Sequence, residues 1–278
     1  MIGSQSETIV TSVEALALPD SINQMSNYPE SLKCNKIVLI NSFDYVAAIK
    51  QSGPEWHSYQ RPNSDLRFVA NLYRAAVGIA SLDPKIANPL DLKGKRIAVP
   101  PRPSAVRVLI EALLRDGWGI LNDVELVDSH PAQVSDRLNR GEIDATACES
   151  VLETADGYEV TSSSSMKHMA FEWIEVESSA VDQMNSSHGG GFKRSPVCRN
   201  DTEVGLLNFD QGLSAWQCTE PEVVFQILNV LISRGIEWAN RTGGVPFAIE
   251  RMIDWPDLTN LTLHEGANQF YRNYGIQL

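Results

Sequence analysis

The chain has 278 residues, of which 43% are hydrophobic and 21% charged, and its formal net charge is −12. That length supports one large domain or two smaller ones, each with a real hydrophobic core. No stretch reaches the roughly 18 to 20 apolar residues that span a bilayer. Lys and Arg form no run that could follow a phosphate backbone. The composition therefore predicts a globular protein without membrane insertion or nucleic-acid binding, and its acidity fits solubility better than a basic partner.

The cysteines and the N-terminus give expectations about the cellular compartment. The four cysteines contain no CxxC pair and no metal-site spacing with His, so we expect free thiols and neither a metal nor a cofactor. The first residues contain no basic segment and no long apolar segment, and therefore no secretory signal. These features predict a cytoplasmic protein, or a periplasmic one if an export segment is missing from the sequence.

The first ninety residues alternate between short strands and short helices. A helix is predicted to begin after Asn41 and Ser42, which are good N-cap residues, and to end before Gly53 and Pro54. The run at residues 36–40 is mostly apolar, which is typical of a buried parallel strand. The other predicted elements are a strand at 8–13, a helix or turn at 21–31, and strands at 67–73 and 75–82.

The clearest pattern lies in residues 91–150, where three short strands alternate with two helices. The strands are predicted at 96–100, 124–127 and 143–147, and the helices begin at Ser104 and Pro131. The first helix has apolar residues at the 3.6-residue period. Short strands alternating with helices indicate a parallel sheet with right-handed crossovers, which makes the fold class α/β.

The last third of the chain is predicted to be mainly helical. Long helices are indicated at residues 220–240, 245–253 and 264–274. Before them come a polar break at 162–165, a possible strand at 169–176, a flexible Ser- and Gly-rich loop at 186–191, and a mixed strand and turn region at 206–217.

Several motifs resemble one protein family. The D-L-K-G-K turn at residues 91–95, Pro103-Ser104 and the G-E-I-D-A segment at 141–145 resemble one lobe of a type II periplasmic solute-binding protein. The tail at 263–275, L-H-E-G-A followed by Tyr271 and Tyr274-Gly275, is similar to the ending of the TAXI group, the solute receptors of TRAP transporters. Residues 37–45 and 21–23 resemble that group's strand, loop and turn.

The resemblance implies a two-lobed α/β fold with mostly parallel sheets and a ligand cleft between the lobes. Lobe I would take residues 1–81, lobe II residues 82–184, and residues 185–278 would return to lobe I. The sequence also departs from the family pattern. The family's first strand and Gly/Tyr-rich loop have no counterpart, the loop after Val99 is P-P-R-P-S instead of glycine-rich, and Glu265 stands where the family has Pro.

Candidate ligand contacts follow the predicted strands, since ligands of open α/β sheets bind beyond the carboxyl ends of strands. They are Ser42, Phe43, Asp44 and Tyr45 after the strand at 36–40, Arg102 and Ser104 after the strand at 96–100, and Glu149 and Ser150 after the strand at 143–147. A helix N-terminus suits a carboxylate, and Arg102 could add a bidentate contact. The alternative is that these residues only cap helices or carry charge at the protein surface, without contacting a ligand.

Two functions follow from these patterns. The leading hypothesis is a solute-binding protein for a small polar or anionic metabolite, with a carboxylate as the first candidate. The alternative is an intracellular enzyme of lyase, isomerase or cyclase type, with Asp44, His57 and Glu149 as acid/base groups. Trp56, His57 and Tyr59 form an aromatic cluster that is either a lid or a surface-packed turn. A non-binding interaction protein is a third interpretation.

Overall fold

The structure is a computed structural model that describes residues 18–154, 157–160, 169–199, 202–242, 248–253 and 262–276. The described helices are α1 (Leu18–Ser26), α2 (Glu30–Lys33), α3 (Ser42–Lys50), α4 (Ala105–Ala112), α5 (Pro131–Asn139), α6 (Ser178–His188), α7 (Pro221–Thr242), α8 (Ile249–Met252) and α9 (Glu265–Asn273). The described strands are β1 (Ile37–Asn41), β2 (Leu66–Tyr73), β3 (Ala75–Ser81), β4 (Arg96–Val99), β5 (Glu125–Asp128), β6 (Ala145–Thr154), β7 (Gly157–Val160), β8 (Glu172–Trp173), β9 (Arg194–Arg199), β10 (Thr202–Asn208) and β11 (Gln211–Trp216). None of these helices combines the length and the hydropathy that a bilayer crossing requires.

The chain divides into two compact units. The first contains the described residues within 18–52, 58–73 and 210–276, and the second contains 53–57 and 74–209. These boundaries differ from the predicted lobes at residues 81 and 184. β3 pairs with β6 and with β10, and β10 pairs with β9, so all of these strands belong to the second unit.

The first unit is built on a three-stranded antiparallel sheet in the order β1-β11-β2. Its core lies between this sheet and the C-terminal helices, where Val69, Ala215, Val224, Leu228 and Phe270 pack together. The prediction of a parallel strand at 36–40 is wrong, because β1 pairs antiparallel with β11, a strand that lies far along the chain. Local hydrophobicity carries no information about such a partner.

The second unit contains the pattern predicted for residues 91–150. Its sheet has the order β5-β4-β6-β3-β10-β9, with β7 paired to β6 and β8 paired to β3. β4 pairs parallel with β5 and β6. α4 packs on these strands, with Ile97 and Ile110 in the same core. The α/β class is thus confirmed; the predicted parallel pairing occurs around β4, and the remaining described strand pairs are antiparallel.

Four other predictions remain, and the structure describes two of them. The flexible loop predicted at 186–191 is in part the end of α6, which terminates at Gly189 with a φ of 74°. That conformation suits glycine because it has no Cβ. The possible strand at 169–176 is reduced to β8. The strand predicted at 8–13 and the break predicted at 162–165 lie outside the described residues.

A disulfide joins Cys34 to Cys218 across 184 residues of sequence. The expectation of four free thiols is therefore wrong for this pair. The two cysteines have no local motif, and only the folded first unit brings the end of α2 next to the segment that follows β11. Lys33 strengthens the same junction, because its Nζ lies 4.8 Å from the ring centroid of Trp216 and it forms an ion pair with Asp65.

Candidate functional site

The loop between β4 and α4 forms the first part of the candidate site. Ser104 is the N-cap of α4, and its Oγ accepts a hydrogen bond from the Arg107 N–H at 3.4 Å. The predicted helix start at this residue is thus confirmed. Arg102 precedes the cap and follows β4, so it lies beyond the carboxyl end of a parallel strand and next to the positive end of a helix dipole.

Four charged side chains form a cluster that links the loop before α4, α4 itself and the end of β5. Nη2 of Arg102 donates to both carboxylate oxygens of Glu111, at 2.9 and 3.0 Å. Nε of Arg107 donates to Oε1 of the same Glu111 at 2.7 Å. Nη1 of Arg107 bonds the Pro100 carbonyl at 3.1 Å and pairs with Asp128. Glu111 therefore lies between two arginines.

The members of this cluster differ in exposure. The Arg102 side chain is 49% exposed, whereas that of Glu111 is only 9% exposed. Burial lowers the pKa of Arg107, but hydrogen bonds and charge interactions with Glu111 and Asp128 outweigh it and raise the pKa above its ordinary value. Arg107 thus stays charged and anchors the cluster, while Arg102 is the arginine that solvent reaches.

Sequence reasoning missed Arg107 and Glu111. The two residues lie four positions apart on α4 and have opposite charges, which is a recognised helix-pair spacing. That spacing was the signal available in the sequence. The ion pair between Glu111 and Arg102 depends on the conformation of the loop before α4, which helical spacing does not predict.

The segment from Gly53 to His57 packs within the second unit. The Arg102 guanidinium carbon lies 4.4 Å from the ring centroid of Trp56, which is a cation–π distance. The His57 N–H closes the turn onto the Pro54 carbonyl at 2.8 Å. Gly53 has a φ of 115°, and a Cβ there would lie 2.6 Å from the His57 oxygen, so this turn requires glycine. Trp56 thereby covers one side of Arg102.

The predicted contacts after β1 are buried. Asp44 is 0% exposed, and Ser42, Phe43 and Tyr45 are buried as well. Oδ1 of Asp44 accepts from the Tyr59 hydroxyl at 2.8 Å, and Oδ2 accepts from Nδ2 of Asn41 at 2.6 Å. Burial raises the pKa of Tyr59, and the nearby Asp44 charge raises it further. These bonds give Asp44 a structural role at the start of α3, and ligand contact by residues 42–45 stays a prediction.

The remaining predicted residues are divided between the units. Asp44 and Tyr59 belong to the first unit and His57 to the second. His57 is 2% exposed. The backbone of Glu149 and Ser150 lies in β6, but their side chains lie outside the described part of the structure, so their roles stay predictions. The structure brings together Arg102, Ser104 and Trp56.

Several solved structures are similar to this chain at low identity. Protein AF1704 from Archaeoglobus fulgidus matches with 13% identity and a TM-score of 0.40, covering 95% of this chain and 86% of its own. The second substrate-binding domain of GlnP from Lactococcus lactis matches with 15% identity and a TM-score of 0.33, covering 63% of this chain and 59% of its own. The aliphatic sulphonate-binding protein SsuA from Escherichia coli matches with 20% identity and a TM-score of 0.30, covering 45% of this chain and 38% of its own.

This chain thus spans less than two thirds of the GlnP domain and of SsuA. No curated protein sequence matches it significantly. The model of the NMT1-like family matches residues 44–275, which is most of the chain. That range includes the strands and helices of the second unit and the C-terminal helices of the first. The chain therefore belongs to the NMT1-like family.

Proposed function

We propose that this chain is a solute-binding protein whose ligand is a small carboxylate. The observation that carries the proposal is the position of Arg102, a half-exposed guanidinium beyond the carboxyl end of β4 and beside the N-terminus of α4. Within the described residues, its Nε and Nη1 groups make no hydrogen bond. Donors in this position can bind an anion.

The charge balance supports a local anion site. The chain as a whole has a net charge of −12 and repels anions at long range. The cluster of Arg102, Arg107, Glu111 and Asp128 has a formal charge of zero. An incoming carboxylate is therefore attracted only at short range, by Arg102 and the helix dipole. The expected ligand is small and makes direct contact with Arg102.

The C-terminal tail supports a finer assignment to the TAXI-type receptors of TRAP transporters. His264 caps α9, with its Nδ1 accepting from the Gly266 N–H at 3.2 Å. The Tyr271 hydroxyl donates to the Val69 carbonyl at 2.9 Å and joins α9 to β2. His264 and Tyr271, two of the tail residues that carry the resemblance, thus hold α9 in place. A motif with such a structural role can be shared by receptors that bind different ligands.

The disulfide supports a location outside the cytoplasm. Disulfides persist in oxidising compartments and are rare where thiol reductants are abundant. The bond between Cys34 and Cys218 therefore favours an extracytoplasmic protein over the cytoplasmic one that the sequence suggested. Such a location also suits a solute-binding role.

The enzyme alternative gains nothing from the described geometry. Both Asp44 oxygens accept hydrogen bonds inside the first unit, and His57 is buried in the second. A general acid or base must reach the proton that it transfers. Neither residue is in a position to do so, and the side chain of the third candidate, Glu149, lies outside the described part of the structure, so we retain solute binding as the proposed function.

Thermal unfolding with a panel of carboxylates tests the proposal. The panel contains succinate, glutarate, glutamate and 2-oxoglutarate, and succinamide serves as the neutral control. A ligand at a hundredfold excess over its Kd should stabilise the protein by about 2.7 kcal/mol and raise Tm by several degrees. Absence of any shift across the panel, or an equal shift with succinamide, would contradict a carboxylate ligand.

A further inference from the structure

Arg102 is already holding a carboxylate, that of Glu111. Its Nη2 donates to both Glu111 oxygens, at 2.9 and 3.0 Å. A guanidinium can grip a carboxylate bidentately along two edges, either Nε with Nη2 or Nη1 with Nη2. Both edges include Nη2. Nη2 has two hydrogens, one on each edge, so Glu111 competes with a ligand for the hydrogens of this nitrogen and its charge offsets that of Arg102.

We propose that Glu111 is an internal competitor that sets the affinity and selectivity of the site for carboxylates. The inference rests on the proposed function and deepens it. When a carboxylate ligand binds, Nη2 of Arg102 passes from Glu111 to the ligand, which then gains two parallel hydrogen bonds. No covalent bond changes and no proton moves. The site is thus occupied by the protein's own carboxylate until a ligand replaces it.

Glu111 can release Arg102 without becoming an unpaired buried charge. Its Oε1 also accepts from Nε of Arg107 at 2.7 Å. Arg107 is held in turn by the Pro100 carbonyl and by Asp128. Breaking a buried ion pair is strongly unfavourable when it leaves one charge alone. Here Arg107 remains as a partner, so the exchange avoids that penalty.

Arg102 can exchange partners without leaving its place in the loop. Its guanidinium carbon lies 4.4 Å from the Trp56 ring centroid, and this contact does not depend on which carboxylate holds Nη2. The cation–π contact limits the freedom of a long side chain that would otherwise lose rotamer entropy on binding. Trp56 is thus a positioning residue for Arg102 before and after the exchange.

Competition by Glu111 would favour ligands that bind through two oxygens. A weak anion that offers one acceptor gains a single bond and cannot replace the paired contact. A carboxylate that takes the bidentate edge replaces what Arg102 loses and adds a second parallel bond. The same acidic residue would therefore select against anions with a single acceptor, such as chloride, and admit anions that present two oxygens, as carboxylates do.

Calorimetric titration with succinate tests the inference on wild type, E111Q, D128N and E142Q. Glu111→Gln should bind succinate about two- to fivefold more tightly, because the competing ion pair is a partly exposed one of modest strength. Asp128→Asn removes the same amount of negative charge from the cluster, but Asp128 pairs with Arg107 and not with Arg102. The affinity of D128N for succinate should therefore rise less than that of E111Q. Glu142→Gln removes an exposed charge elsewhere in the second unit and should leave the affinity unchanged.

The outcomes separate the two proposals. If no variant and no wild-type protein binds succinate or another panel carboxylate, the proposed function and this inference both fall. If wild type binds and E111Q binds equally or more weakly, only the inference falls, and Glu111 is a structural partner. Should E111Q fail to fold by circular dichroism, Glu111→Asp retains the charge and shortens the reach to Arg102. E111D should then bind more tightly than wild type, and unchanged or weaker binding would overturn the inference.

Discussion

The Tyr59 hydroxyl donates a hydrogen bond to Oδ1 of Asp44 at 2.8 Å inside the first unit. Asn41 bonds the other carboxylate oxygen and also accepts from the Asp44 N–H at 2.8 Å. A buried carboxylate at the first turn of a helix is stabilised by the helix dipole and by such donors. These contacts give Asp44 a structural role, and the ligand contact suggested by its position after a strand stays a prediction.

Asp44→Ala should destabilise the protein without abolishing ligand binding. The substitution leaves the Tyr59 hydroxyl and the Asn41 amide without this acceptor, and buried groups that lose a partner cost about 1–3 kcal/mol. Urea unfolding measures the loss, and Asp136→Ala on the exposed side of α5 is the control. Unchanged stability of D44A together with lost binding would show instead that Asp44 contacts the ligand.

Removal of the disulfide should lower stability substantially. Cys34→Ser opens a cross-link that spans 184 residues, and loss of a native disulfide typically costs about 2–5 kcal/mol. Thiol titration of the unfolded protein should find two more reactive thiols after reduction than before. The disulfide assignment would be wrong if reduction changed neither the thiol count nor the unfolding midpoint.

Gly266→Ala should weaken the packing of α9 on the start of α7. A Cβ at this glycine would lie 2.0 Å from the Pro221 carbonyl oxygen, which is backbone and cannot simply rotate away. Overpacking of this kind costs about 1–3 kcal/mol. Gln269→Ala, on the exposed side of the same helix, is the matched control for differential scanning calorimetry. Equal melting temperatures for the two variants would contradict the close contact.

Stability should fall as the pH drops below about 6.5 in a way that depends on His264. Burial lowers the pKa of His264 below its ordinary value of 6.5, since the charged form is disfavoured inside the first unit. The unfolded chain therefore binds this proton first as the pH falls, which favours unfolding by up to about 1.4 kcal/mol per pH unit. His264→Asn keeps a capping oxygen and removes the titration. Its stability should vary less between pH 7 and 5, and an identical pH profile would exclude His264 as the cause.

Local features of this fold could be predicted from the sequence. Asn41 and Ser104 are N-caps as expected, because a cap depends on residues within one turn. The alternation of strands and helices in residues 91–150 is also correct, since each crossover is completed within a short stretch. These elements are determined by the conformational preferences of residues that are close together in the sequence.

The remaining features depend on contacts between distant parts of the chain. The pairing of β1 with β11 and the disulfide each join segments that only the folded unit brings together. The candidate site shows the same division. Arg102 and Ser104 were predicted from a strand end and a helix cap, whereas Glu111 and Trp56 become partners of Arg102 only when α4 and the turn at 53–57 pack beside it.

The most direct test of the account is the affinity for a panel carboxylate before and after loss of the Arg102 charge. Calorimetric titration should compare wild type with Arg102→Met and with Arg140→Met, which removes an exposed arginine of the same unit. R102M should lose at least tenfold in affinity, as expected when a charge-assisted contact worth about 1.5–3 kcal/mol is removed, while R140M should bind like wild type. Equal affinity of R102M and wild type would contradict the central claim that Arg102 binds the ligand.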